Sequence, residues 1–174
     1  MIKGSKVGLR AIEKNDLPKL MYWRNKPEFR KYFREYREIN STMQNEWFSM
    51  INDDDSIIMF AIIKLDTESL IGCCGLTYID WVNRNADLSL YIGYDDLYID
   101  KQGYARETCD LLLNYGFNNL DLHKVWTEIY EYDHKKKELY FDIGFQQDGA
   151  LRDNNYYDGQ WWDSLMLSIL ETEF

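Results

Sequence analysis

Between residues 86 and 130 the apolar side chains change period twice, and that change restricts the chain to a small set of folds. Ala86, Leu88, Leu90 and Ile92 alternate with Asp87, Ser89 and Tyr91, the period of a strand. From Gly103 to about Leu120 the spacing becomes helical, with Ala105, Cys109, Leu112, Leu113, Gly116, Phe117 and Leu120 on one stripe. Lys124 to Tyr130 then alternates again. Strand, helix and strand in that order make a crossover, which requires a sheet with a helix packed on it.

The rest of the chain extends this unit. A strand is predicted over Val7 to Ile12, and Asn15-Asp16 is expected to cap a helix ending near Trp23 or Arg24. Pro27 suits the first turn of a helical patch reaching Arg34. Ser41 with Gln44 forms a capping-box pattern, opening a helix whose expected buried side is Met43, Trp47, Met50 and Ile51. The run Asp53-Asp54-Asp55 stops it as a solvated turn. Strands are expected at Ile57 to Leu65 and Leu70 to Asp80, a short helix at His134 to Ile143, and strands at Phe145 to Leu151 and Trp161 to Leu170 around a turn at Asp158-Gly159. The predicted order is β-α-α-β-β-β-α-β-α-β-β. It describes one α/β (α+β) domain over residues 1–174, with a mostly antiparallel central sheet flanked by helices. No linker or internal repeat divides it.

Charge narrows the partners. A formal net charge of −10 argues against nucleic acid and against an anionic membrane face. The start Met1-Ile2-Lys3-Gly4 lacks an apolar leader region and no apolar run has membrane-spanning length, so a cytoplasmic location is expected. Cys73, Cys74 and Cys109 are an odd set with two neighbours, read as core thiols rather than a disulfide framework. His123 and His134 lack the spacing of a metal pair and no zinc site is expected; His123 is expected to end a helix.

The segment Asp100-Lys101-Gln102-Gly103-Tyr104-Ala105-Arg106 carries the chemistry. It follows a strand and opens the strongest helix, where free N–H groups and the positive end of the helix dipole suit a phosphate. Gly103 lets a ligand approach the backbone, Ala105 withholds bulk, and Lys101 and Arg106 add positive charge. Taken alone, the segment is equally a structural helix entry.

In context the chain resembles the GCN5-related N-acetyltransferase (GNAT) superfamily, in its ribosomal-protein and spermidine acetyltransferase branch. The resemblance runs from Leu9-Arg10-Ala11-Ile12-Glu13 through Leu70-Ile71-Gly72, Ala86 to Gly93, Gly103-Tyr104-Ala105, Leu122-His123-Lys124-Val125, Leu139-Tyr140 and Gly144-Phe145 to Gly149 to Asp153 and Asp158-Gly159. It implies acetyl-CoA as co-substrate, with the main chain of Leu90, Tyr91 and Ile92 on the pantetheine arm and Asp100 to Arg106 around the pyrophosphate. Asp133 and Lys136 would lie on the other side of the cofactor. Tyr140 matches the family tyrosine that protonates the departing thiolate, a role a phenol with pKa near ~10 can fill. The family often carries Gln or Arg where this chain has Asp100. Lys136, which could bind a cofactor phosphate, is equally one face of the run Lys135-Lys136-Lys137.

For the acceptor, an alkylammonium with pKa near ~10.4 must lose a proton before it attacks. Asp87 and Glu35 are the candidate carboxylates, each able to take the proton, act through water or hold the cation. Around them, Trp23 to Glu38 carries Arg24, Lys26, Arg30, Lys31, Arg34 and Arg37, a basic patch suited to phosphate. Trp23-Arg24-Asn25 resembles the stretch found in relatives that acetylate nucleotide-linked amino sugars. Three acceptors therefore stand open: a protein N-terminus, a polyamine and a nucleotide-linked amino sugar. A non-catalytic acyl-CoA sensor on the same fold is the alternative. The aromatic stretch Tyr156, Tyr157, Trp161 and Trp162 offers a surface for homo-oligomerisation.

Overall fold

A computed structural model of the chain describes residues 1–174. The elements are β1 (Ile2–Lys3), β2 (Val7–Ala11), α1 (Leu17–Asn25), α2 (Pro27–Arg30), α3 (Ser41–Asp53), β3 (Ile58–Lys64), β4 (Ser69–Asp80), β5 (Asn85–Ile92), α4 (Tyr104–Asn118), β6 (Lys124–Tyr130), α5 (His134–Ile143), β7 (Gln146–Tyr157) and β8 (Gln160–Leu170). One eight-stranded sheet runs β1-β2-β3-β4-β5-β6-β8-β7, antiparallel except where β5 meets β6. That single parallel pair is the crossover read from the sequence, with α4 as its helix. No helix is long and apolar enough to cross a membrane.

Helices cover both faces of the sheet. Leu76, paired with Leu88 across β4 and β5, is the first neighbour a Cβ on Gly116 of α4 would meet. The even-numbered side chains of β5 therefore look toward α4, where Cys109, Leu112 and Leu113 are fully buried. Burial stabilises each leucine by about 1.5–3 kcal/mol. The odd-numbered ones look toward α1 to α3: Tyr91 meets the rings of Trp23 and Phe33 edge-on at 6.5 and 5.4 Å. Alternation on β5 thus separates two covered faces, and Asp87 and Tyr91 are buried as well as the leucines, though slightly less deeply. Trp23 lies so close over Gly93 that any Cβ there would run into the indole, which fixes glycine at the end of β5.

Several local expectations are corrected. α2 stops at Arg30 rather than Arg34, and Lys31 to Asn40 runs on as turns and bends. Asn40 caps α3, its side chain accepting from the Met43 N–H at 3.0 Å, so the Ser41–Gln44 capping box does not form. Gln44 is the buried residue of α3, whereas Met50 is exposed. Asp16 precedes α1 but binds Arg10 at 2.7 Å and the Glu13 N–H rather than the α1 amides. His123 does not end a helix: it lies on the approach to β6 and its Nδ1 sits 2.9 Å from Glu171. β7 runs six residues beyond Leu151, to Tyr157.

Candidate active site

β4 pairs with β5 along nearly its whole length, as far as Gly72 opposite Ile92. β6 pairs with β5 only over Asn85, Ala86 and Asp87. From Leu88 onward the two parallel strands part, and one edge of β5 is left without a strand partner. Backbone groups alternate between the two edges. Gly93 donates to Ile71 on the β4 side, while Ile92 donates to the Tyr98 carbonyl (2.9 Å) and the Leu88 carbonyl accepts from Thr127 Oγ1 (3.2 Å) on the other. The same alternation aims the N–H and C=O of Leu90 into the opening, an edge suited to an extended amide-bearing chain such as a pantetheine arm.

Beyond this opening is a cavity of about 660 Å³ between the sheet and α1 to α3. α3 lines it with Met43, Gln44, Trp47 and Met50, which explains why an apolar stripe on that helix is left half-exposed. β4 adds Cys73 and Thr77; β5 adds Asp87, Ser89 and Tyr91; β6 adds Thr127 and Glu128. Arg24 and Lys136 close it from α1 and α5.

Asp87 lines the cavity from β5. It is 6% exposed, and burial pushes its carboxyl up to about 6, against the opposing pull of Arg34 and Lys136. Arg34 Nη1 lies 3.5 Å from Asp87 and Nη2 lies 3.0 Å from Glu128, so one guanidinium bridges both acids. Glu35 also lines the cavity, but Arg37 holds it at 2.7 Å and lowers its carboxyl to about 2. A carboxylate so easily ionised is a poor proton acceptor, which leaves Asp87 as the candidate base. Arg24 lies across the Phe33 ring with its guanidinium carbon 4.0 Å from the centroid. No carboxylate pairs with it, and its buried Nε has no hydrogen-bond partner. In the sequence Arg34 is only one member of a basic patch, and Glu128 and Thr127 carry no signal, because all three meet Asp87 and the opening only through the fold.

Tyr140 is fully buried on α5, and its hydroxyl has no hydrogen-bond partner. The Thr127 hydroxyl is nearby but donates to Leu88. Burial raises the phenol well above its ordinary pKa, so it keeps its proton. Asp133 caps α5, accepting from the Lys136 N–H at 3.2 Å and from the Tyr98 hydroxyl at 3.4 Å. Lys136 is not a solvated lysine: it turns inward, and burial lowers its pKa against the pull of Asp133 and Asp87. Burial likewise pushes the Cys73 thiol up to about 12, in keeping with a core thiol.

The helix-entry loop departs from the expected cradle. Gly103 has φ +88°, a left-handed conformation glycine accepts readily, and Tyr104 and Ala105 open α4. Asp100, however, already occupies the amides: its carboxylate accepts from Gln102 N (2.8 Å), Tyr104 N (2.9 Å) and Ala105 N (2.7 Å). Lys101, Gln102 and Arg106 are exposed, and Lys6 Nζ reaches the Gln102 carbonyl at 2.8 Å. The strand edge at Leu90 is thus open and the Tyr140 hydroxyl is orphaned. The amides of the helix-entry loop are held by the Asp100 carboxylate.

The chain as a whole is similar to known acetyltransferases. The acetyltransferase (GNAT) domain family matches residues 6–146. An N-acetyltransferase described as uncharacterized, p20 of Bacillus licheniformis, is 28% identical over 95% of this chain and 93% of its own. The spermidine N(1)-acetyltransferase of Vibrio cholerae is 25% identical over 98% and 96%. A crystal structure of spermidine N-acetyltransferase from Vibrio cholerae, in complex with CoA and spermine, superimposes with a TM-score of 0.88 at 25% identity, covering 98% of each chain.

Proposed function

Because the chain belongs to the acetyltransferase (GNAT) domain family and is an N-acetyltransferase, we propose that it transfers an acetyl group from acetyl-CoA to a primary amine, both bound at once and the amine attacking directly. The observation that carries this reading is the opening between β5 and β6, which leads from the Leu90 main chain to a cavity with Asp87 inside it. Acetyl-CoA supplies an activated acyl group whose leaving group is a thiolate. The chain's own residues do the rest. Leu90 holds the extended arm through its main chain, and Tyr91 and Ile92 fix that strand from both covered faces. Asp87, ionised above about 6, takes the proton that an alkylammonium must lose. Tyr140 keeps its proton until a thiolate forms and then delivers it. Arg34 holds Asp87 and Glu128 in place, while Asp133 fixes the start of α5 and Lys136 adds positive charge beside Asp87. Asp87 and Tyr140 are themselves buried, which strengthens the interactions they make.

Two acceptor classes have support. A polyamine is favoured by the spermidine-acetylating relatives. An amine that also bears an anionic group, such as a nucleotide-linked amino sugar, is favoured by the unpaired Arg24 guanidinium, since the acids lining the cavity already have partners within the chain. Thiol release from acetyl-CoA, followed with spermidine, a nucleotide-linked amino sugar and a peptide with a free N-terminus, separates them. Arg24→Ala is expected to raise KM about tenfold or more for an anionic acceptor, one lost charge-assisted contact, and to leave a polyamine's KM unchanged. On the surface, the exposed Tyr156 and Trp161 of the β7–β8 hairpin are where copies of the chain would associate.

A further inference from the structure

We propose that Asp100 is a built-in competitor for the diphosphate of CoA, a carboxylate that holds the cofactor's anion site until the cofactor displaces it. The inference rests on the acetyl-CoA reading above.

A helix start offers few free N–H groups. Here three amides at the entry of α4, those of Gln102, Tyr104 and Ala105, all donate to the two oxygens of one carboxylate. A diphosphate bound at this helix start needs the same donors and the same positive dipole end. Two anions cannot share them, so one must leave. The chain around Asp100 is fixed. Tyr98 is buried, stacked on Tyr32 at 4.5 Å, and its carbonyl accepts from Ile92 at the end of β5. Gly103 is fixed in its left-handed turn, and a Cβ there would meet Lys6 Nζ at 3.3 Å. The Asp100 side chain can leave by rotation about its own χ angles toward solvent, where Lys101 is exposed. The carboxylate therefore does two jobs in turn. It caps α4 in the free protein, and it sets a threshold that CoA must overcome.

The test is binding, not turnover. CoA and pantetheine, which lacks the diphosphate, are titrated by calorimetry into the wild-type protein, Asp100→Ser and Asp100→Ala. Serine keeps an uncharged helix cap, so Asp100→Ser guards against simple unfolding of α4. Both variants are expected to bind CoA about tenfold more tightly, the scale of one removed charge at a helix terminus, with pantetheine affinity unchanged. Melting of the free Asp100→Ala protein should fall, while its upward shift on adding CoA should exceed that of wild type. Equal or weaker CoA binding by folded Asp100→Ser overturns the proposal, as does an equal gain for pantetheine. Failure of all three proteins to bind CoA overturns the acetyl-CoA reading, and this inference with it.

Discussion

Tyr140→Phe is expected to lower the rate of acetyl transfer by about 10²- to 10³-fold, within the range for loss of a positioned proton donor, and to leave CoA binding unchanged. The substitution removes one oxygen and keeps the ring, which packs against Phe145 at 5.1 Å. That oxygen is buried without a partner, and an unsatisfied buried hydroxyl costs about 1–3 kcal/mol. The variant should therefore melt at the same temperature as wild type or above it. A fall in rate with no fall in stability separates a proton donor from a packed aromatic. Unchanged turnover would remove Tyr140 from the mechanism and leave its orphaned hydroxyl without a purpose.

Asp87→Asn is expected to lower kcat by about 10²-fold and to abolish the acid limb of its pH profile. The sign follows from the direction of the shift. Burial pushes the Asp87 carboxyl up to about 6, and the base works only when ionised, so wild-type kcat should decline as pH falls through about 6. The same shift bears on stability in the opposite sense. An unfolded aspartate titrates near ~3.9, so the folded chain favours the protonated form; that stabilisation is full at low pH and lost as pH rises through about 6. At neutral pH the ionised Asp87 is thus a burden on the fold, relieved in part by Arg34 and Lys136. The asparagine variant should be at least as stable as wild type at pH 7 and catalytically crippled. If the limb near pH 6 persists in Asp87→Asn, another group is the base.

Much of this architecture is legible in the sequence, for a physical reason that also marks its limits. α5 begins and ends where the pattern places it, between Asp133 and the left-handed Gly144. α4 and β6 follow their apolar periods because each buries one well-defined face. β7 extends past its expected end because the polar run Arg152 to Asn155 carries no apolar alternation to detect. α2 ends before its expected boundary because, although helix propensity continues past Arg30, Phe33 and Arg34 turn to the cavity instead. The candidate site was half legible. Asp87 carries a local signal on its alternating strand, Tyr140 and Lys136 stand out only through the family resemblance, and the fold brings Asp87 and Lys136 to the cavity with Tyr140 buried close to it. Arg34 meets Glu128 across 94 residues, and no local pattern records that contact. Asp100 was visible as an acid in an anion site, but its grip on three amides exists only in three dimensions.

The most direct measurement of the central claim is acetyl-CoA-dependent acetylation of an amine by the purified wild-type chain, with thiol release and acetylated product quantified together. The account predicts that thiol release requires the acceptor and matches the product mole for mole, and that Tyr140→Phe slows both by about 10²- to 10³-fold while CoA still binds. CoA binding without product from any primary amine, in wild type as in the variant, would contradict it.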